Sequence, residues 1–355
     1  MKKIPKYFAI DLVTGPCNNH CKHCYSKIPQ KIKTLNYDEI INIIENTKKS
    51  NLSELVVVPW MLMLDPLLIK DLEKLIIYMK ENFPKGYNGT QNLASNLSVV
   101  SRNPEKIRRL KKNSIGGYQF TFYGVGETHD KFAGREGAFD DIMKAIPFLL
   151  KENIAVYPII WLHNKIGKDL QKIKNILEKF NIMPKDEILP AHIPDPLGWQ
   201  LVNDDNRPTY NDLIEYRELL PKHIFDFMEG DICKKYLSGK LPQKDETKEK
   251  ELSEKEKLQN IMCSYTILPN GDIYPFWEPI HPLFKLGNIF ENKMDEIHKL
   301  HFGGNYEGYK IMDNYNKIEL VKKWGNVNSK KLFSCNYWVI GKYKLQEFYE
   351  KNSIQ

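Results

Sequence analysis

Arginine is scarce in this chain. Of its 52 basic residues, only Arg102, Arg108, Arg109, Arg135, Arg207 and Arg217 are arginines, set against 45 acids. Nucleic-acid binders cluster their basic residues and use Arg to grip phosphates and base edges. Here the Lys excess behind the net charge of +7 is spread along the chain and mixed with Glu and Asp. It reads as a solvated surface, and no nucleic-acid partner is expected. Long apolar runs are also missing. The longest, Leu55 to Leu64, is interrupted by Pro59 and falls far short of the roughly 20 residues that cross a bilayer. No membrane association follows. The opening Met1-Lys2-Lys3-Ile4-Pro5-Lys6 lacks the apolar stretch of a signal peptide. A cytoplasmic protein with reduced thiols is the expectation, and there close cysteines hold metals or do redox chemistry more often than they form disulfides. Disorder is excluded too, because 42% of the residues are hydrophobic and 27% charged. A chain of 355 residues can build one large core or two moderate ones.

From residue 7 to about 195, strand and helix patterns alternate. Strands are expected at Tyr7–Val13, Glu54–Val58, Thr90–Ala94, Tyr118–Phe122, Ile154–Leu162 and Glu187–His192. Helices are expected from Asn36, where Asn36 and Glu39 have capping-box spacing, and over Leu67–Phe83, Pro104–Lys112, Phe139–Leu150 and Lys168–Phe180. Six strands separated by five helices predict a parallel α/β sheet. In such folds the chemistry lies at the carboxyl ends of the strands. Beyond residue 196 the pattern changes. Residues 197–240 read as mixed and helical, 244–257 as a sign-balanced charge run, and 261 onward as a separate small unit with two strands around Asn270-Gly271.

The loop after the first strand holds the densest chemistry: Cys17-Asn18-Asn19-His20-Cys21-Lys22-His23-Cys24-Tyr25. Three of the six cysteines fall within eight residues. Three thiolates on one short loop suit a soft metal or an iron–sulfur cluster, and a four-iron cluster so held keeps one iron open. Zinc, with His20 or His23 as fourth ligand, is the alternative, although the second pair common in structural zinc sites is missing. Tyr25, His20 and His23 lie close enough in sequence to line the centre or simply to pack the loop.

Cys17, Cys21 and Cys24 match the CxxxCxxC signature of the radical SAM superfamily, which the chain resembles. The resemblance implies a partial (β/α)6 TIM-like barrel over 1–200, with the cysteines holding a [4Fe-4S] cluster. It implies S-adenosylmethionine (SAM) on the open iron and an electron donor such as flavodoxin or ferredoxin. It also implies cleavage of SAM to a 5′-deoxyadenosyl radical that abstracts hydrogen from a substrate. Where the family has Gly-Gly-Glu-Pro, this chain has Met63-Leu64-Asp65-Pro66. Asp65 would then help hold SAM, or else cap the following turn. Asn92, in Gln91-Asn92 with Ser95 nearby, resembles a further SAM-facing element; a polar loop is the alternative. Thr121 stands where the family often has Ser, and Tyr123 where it often has Asp. Arg135 could grip a carboxylate or form a loop salt bridge.

The remaining cysteines, Cys233, Cys263 and Cys335, are dispersed. Cys263 opens a stretch with Pro269-Asn270-Gly271, followed by Leu286-Gly287-Asn288-Ile289, which resembles the SPASM/twitch extension of radical SAM maturases. That extension, a small C-terminal α+β domain over 261–355 beyond a helical linker at 201–260, usually carries auxiliary clusters. Phe276 stands where a second cysteine belongs. Either Cys233, Cys263 and Cys335 share a second iron–sulfur cluster, or they are buried thiols. Tyr265, Tyr274, Trp277, Tyr337 and Trp338 line a substrate groove or form core. The resemblance favours a peptide or protein substrate. A pattern that begins almost at Met1 keeps a small metabolite as the alternative, and the missing glycines keep a non-catalytic iron–sulfur or zinc protein on a degenerate barrel.

Overall fold

The computed structural model describes residues 4–15, 17–22, 24, 33–58, 61–86, 89–184, 187–192, 206–240, 263–276, 280–309, 315–333 and 336–352. The first half is an α/β unit of parallel strands with helical crossovers, the wall of a partial barrel. Strand β1 (Tyr7–Val13) pairs in parallel with β2 (Glu54–Val56) and, further along, with β3 (Leu62–Met63). A second parallel sheet runs in the order β4 (Gln91–Ala94), β5 (Ile115–Phe122), β6 (Ala155–Trp161), β7 (Ala191–His192). Among the described residues no ladder joins β3 to β4. A side-chain bond bridges the carboxyl ends instead, from Ser95 Oγ to Asp65 Oδ1 at 3.0 Å.

Local signals fix several helices. Asn36 accepts from the Glu39 amide while Glu39 accepts from the Asn36 amide, so α1 (Tyr37–Thr47) starts on a full capping box. Asn103 caps α3 (Pro104–Lys112), whose first residue is proline. The run read as one helix over Leu67–Phe83 is instead divided. Pro66–Leu68 forms a short 3-10 turn, Ile69 is extended (φ −64°, ψ 124°), and α2 begins only at Leu72, ending at Asn82. A seven-residue helix, α4 (Glu127–Ala133), was not expected; it is too short for its apolar period to stand out. Helices α5 (Ala138–Lys151, with Pro147 inside) and α6 (Gly167–Lys179) fall where the pattern predicts. Strand β7 is much shorter than the expected Glu187–His192.

The Asn270-Gly271 hairpin is present, with β8 (Cys263–Ile267) antiparallel to β9 (Asp272–Pro275). Its place could not be read from sequence. β8 lies parallel to β1 along five residue pairs, from Phe8–Cys263 to Leu12–Ile267, so it extends the first sheet. β10 (Gly287–Asn288) completes that sheet on β9. Helices α7 (Tyr210–Leu213), α8 (Glu229–Leu237), α9 (Met294–Gly303), α10 (Lys317–Trp324) and α11 (Asn336–Asn352) follow. Cys233, Tyr343 and Phe333 form a small core of their own, beside a buried ion pair between Arg207 and Glu229 (3.1 Å). The charge run at 244–257, together with Cys335, Tyr25, His23 and Trp277, lies outside the described residues. Among the described residues no helix is long and apolar enough to cross a membrane.

Candidate metal and cofactor site

The cysteine loop leaves the carboxyl end of β1, where Thr14 Oγ1 ties that strand to the Met63 carbonyl on β3 (3.2 Å). The loop is then docked on α4. The amide of His20 donates to the Ala133 carbonyl (2.8 Å) and that of Lys22 to Phe132 (3.0 Å). Gly134 makes this approach possible. It is left-handed (φ +67°), and a Cβ there would sit 2.6 Å from the His20 carbonyl oxygen.

The sulfurs are linked in sequence, since Cys21 bears electrostatically on Cys17 and Cys24 on Cys21. Cys17 Sγ receives the Asn19 amide (3.4 Å) and Asn96 Nδ2 (3.3 Å). Asn96 also bonds Asn18, which donates to Ser98 Oγ (2.7 Å). Cys21 packs by Tyr123 and Phe132, and the Tyr123 hydroxyl is hydrogen-bonded to its sulfur. Burial, with Asp65 as a further contributor at Cys17, pushes the Cys17 and Cys21 thiols up to about 11. Such thiols ionise on gaining a cation to ligate, so metal loading would release protons. Soft, partly buried thiols on one short loop are the donor set an iron–sulfur centre takes, although among the described residues no three His, Cys, Asp or Glu side chains are drawn together closely enough to hold a single metal ion.

Behind the cysteines stands an aromatic box. Phe132 stacks on His163 (4.3 Å between centroids) and on Tyr123 (5.0 Å). His163 Nδ1 accepts the Lys165 amide (3.2 Å), so its Nε2–H donates to the Tyr123 carbonyl (2.7 Å). His129 Nδ1 accepts the Tyr123 amide (3.2 Å). Burial holds both imidazoles down at about 4, so they stay neutral at ordinary pH.

The four residues expected near SAM are held differently. Asp65 is buried. Its Oδ1 takes the Leu67 amide (3.1 Å) and Ser95 Oγ, and burial raises its pKa to about 6. It therefore caps the turn after β3. Arg135 reaches the cysteine loop directly, donating through Nε to Asn19 Oδ1 (2.6 Å) and pairing with Asp141 (2.8 Å). One further terminal nitrogen of Arg135 is buried with no partner. Asn92 is exposed on β4, and Thr121 is half-buried on β5. Gly117 makes room beside Asn92, since a Cβ there would lie 2.3 Å from Asn92 Oδ1 and 2.5 Å from the Tyr157 ring.

The missing glycines leave a mark. Leu64 occupies the position of the second one and still adopts the left-handed conformation (φ +74°). Leu97, next to Asn96, does the same (φ +63°). Each costs about 1–2 kcal/mol, and such strain collects at functional sites. The sequence reading missed Asn18, Asn96, Ser98, Asp141 and His163. They come from distant segments, and none stands in a telling spacing.

Of the later cysteines, Cys233 is fully buried, with its sulfur 3.4 Å from the Tyr343 hydroxyl. Cys263 lies beside His301 (3.7 Å). Tyr265 and Tyr274 are core residues; Tyr265 bonds His298 (2.9 Å).

These features define a parallel α/β protein with a three-cysteine loop at the carboxyl end of its first strand. Residues 12–177 match the model of the Radical SAM superfamily, so this part of the chain is similar to proteins that use a [4Fe-4S] cluster and SAM. An Fe-coproporphyrin III synthase of Methanosarcina barkeri (strain Fusaro / DSM 804) is 26% identical over 174 residues, 48% of this chain and 40% of that protein. The chain thus matches less than half the length of that curated relative. Among solved structures, native anSMEcpe with bound AdoMet is similar in fold (TM-score 0.56, 16% identity, 98% of this chain and all of that one). So is Streptococcus suis SuiB bound to the precursor peptide SuiA (TM-score 0.53, 13% identity, 95% of this chain and 76% of that one).

Proposed function

We propose that this chain is a radical SAM enzyme acting on a peptide or protein. The observation that carries the reading is the Cys17–Cys21–Cys24 loop at the carboxyl end of β1, docked on α4 and pinned by Arg135 through Asn19. Cys17, Cys21 and Cys24 would hold the cluster, which when bound would supply the one-electron chemistry of reductive SAM cleavage. Arg135, with a buried nitrogen to spare, would take the SAM carboxylate. Asp65 orients Ser95 and the Asn96 segment, while Asn92 and Thr121 offer hydrogen bonds on the barrel's inner wall. Tyr123, Phe132 and the neutral His163 exclude water from the cysteine side. The peptide reading draws on fold kinship with anSMEcpe and SuiB, both solved with bound peptides. Cys233 and Cys263 are read as buried thiols. The test is anaerobic reconstitution with iron and sulfide, followed by SAM and dithionite. 5′-Deoxyadenosine is expected; a loaded cluster without SAM cleavage would contradict the proposal.

A further inference from the structure

The barrel's inner wall holds an acid, Asp11, that has no partner among the described residues. Side chains alternate across a strand. Phe8 packs edge-on against His298 of α9 (4.7 Å), and Tyr265, beside it on β8, contacts the same ring (5.5 Å). Phe8, Ile10 and Leu12 therefore face the helices, and Ala9, Asp11 and Val13 face the interior. In the second sheet Phe122 meets Phe139 of α5 (6.3 Å), so Asn92, Gln119 and Tyr157 face the same interior.

Asp11 sits in the middle of β1 and is 4% exposed. Among the described residues its carboxyl makes no hydrogen bond and no ion pair. The residue paired with it on β8 is Thr266. The strands that flank β1 carry one charged residue, Glu54. It pairs with Tyr7 at the strand's entry and is already engaged by Lys85. The remaining inward positions, Val56, Met63 and Ser264, are uncharged. On β4 to β7 they are Asn92, Ala94, Gln119, Thr121, Tyr157, Ile159, Trp161 and His192, and none is Lys or Arg. Without a countercharge, burial lifts the carboxyl to about 7.

A buried carboxyl without a partner is costly, and among the described inward strand positions no cationic side chain is there to pair with it. We propose that Asp11 is the binding partner for a cationic group of the substrate, a primary ammonium or guanidinium carried into the barrel. This rests on the peptide reading and deepens it, since it asks for a Lys- or Arg-like side chain near the site of hydrogen abstraction.

The test reads the carboxyl itself and needs no turnover. Infrared difference spectra of the reconstituted protein at pH 6, recorded before and after adding SAM, wild type minus Asp11→Asn, isolate the protonated Asp11 band; Asp11→Glu, which shifts that band, serves if the Asn variant does not fold. n-Butylguanidinium should abolish the band, because a cation in contact favours the ionised form. Neutral n-butylurea and anionic butyrate should leave it. By calorimetry n-butylguanidinium should bind wild type at least tenfold more tightly than Asp11→Asn. A band unchanged by saturating n-butylguanidinium, or absent at pH 6 before any addition, would overturn the proposal. So would a band removed by SAM alone, which would assign Asp11 to the cofactor. SAM cleavage in the same samples reports separately on the enzyme reading.

Discussion

Cys17 and Cys263 are alike in burial, since both thiols are pushed up to about 11. Their company differs. Cys17 leaves the carboxyl end of β1 into a polar net of Asn18, Asn96 and Ser98, with Cys21 close by. Cys263 starts β8 opposite Phe8, about 17 Å back along the strand from Val13. It faces α9, among Tyr265 and His301. Burial alone therefore does not single out a candidate ligand. Neighbours, and the end of the sheet, set Cys17 apart. Left-handed leucines at 64 and 97 add to the contrast, because both lie on the cysteine side of the barrel.

The largest effect expected from this contrast is on metal content. Cys17→Ser should reduce iron to near zero after reconstitution, whereas Cys263→Ala should keep about four irons per chain. Half the iron lost on Cys263→Ala would break the comparison and give the dispersed cysteines a cluster of their own.

Asp11→Asn comes next, and its effect depends on pH. Folding raises this carboxyl from 3.8 to about 7, so the folded state keeps a proton that the unfolded chain gives up. The wild type is thus penalised progressively as pH rises from about 4 to 7, and fully above 7. The Asn variant escapes the penalty. It should be more stable by on the order of 3 kcal/mol at pH 8, with the gap closing toward pH 4. Denaturant unfolding of the apoprotein at the two pH values checks this; a variant less stable at pH 8 would refute it.

Gly134→Ala tests the docking of the cysteine loop. Strain at a positive φ and a clash with the His20 carbonyl should cost about 2 kcal/mol and slow cluster assembly. The same change at Gly239, which is also left-handed but has open space around it, should cost less and spare the cluster. Smallest is Leu64. Leu64→Val, β-branched at a positive φ, should destabilise by about 1 kcal/mol more than Leu64→Gly in thermal unfolding.

Legibility in the sequence followed locality. The caps at Asn36 and Asn103, the Asn270-Gly271 hairpin and the cysteine triplet are short-range signals, and each was readable. The break at Ile69 was not, because the apolar spacing on its two sides is continuous. Nor was β8 beside β1, a pairing across more than 250 residues. The site divides in the same way. Its candidate ligands sit in one loop, but Ser98 meets Asn18 across 80 residues and Arg135 meets Asn19 across 116. Those partners are set by the fold rather than by spacing. Asp65 shows a residue readable in both of its roles, with the capping one visible in the structure.

The central claim is that the Cys17–Cys21–Cys24 loop is a working radical SAM centre. Electron paramagnetic resonance of the dithionite-reduced, reconstituted protein, with iron quantified in the same sample, tests it most directly. The account predicts about four irons per chain and a cluster signal that changes on adding SAM, as expected when SAM occupies the open iron. Stoichiometric zinc in place of iron, or a cluster signal that SAM leaves unchanged, would contradict it.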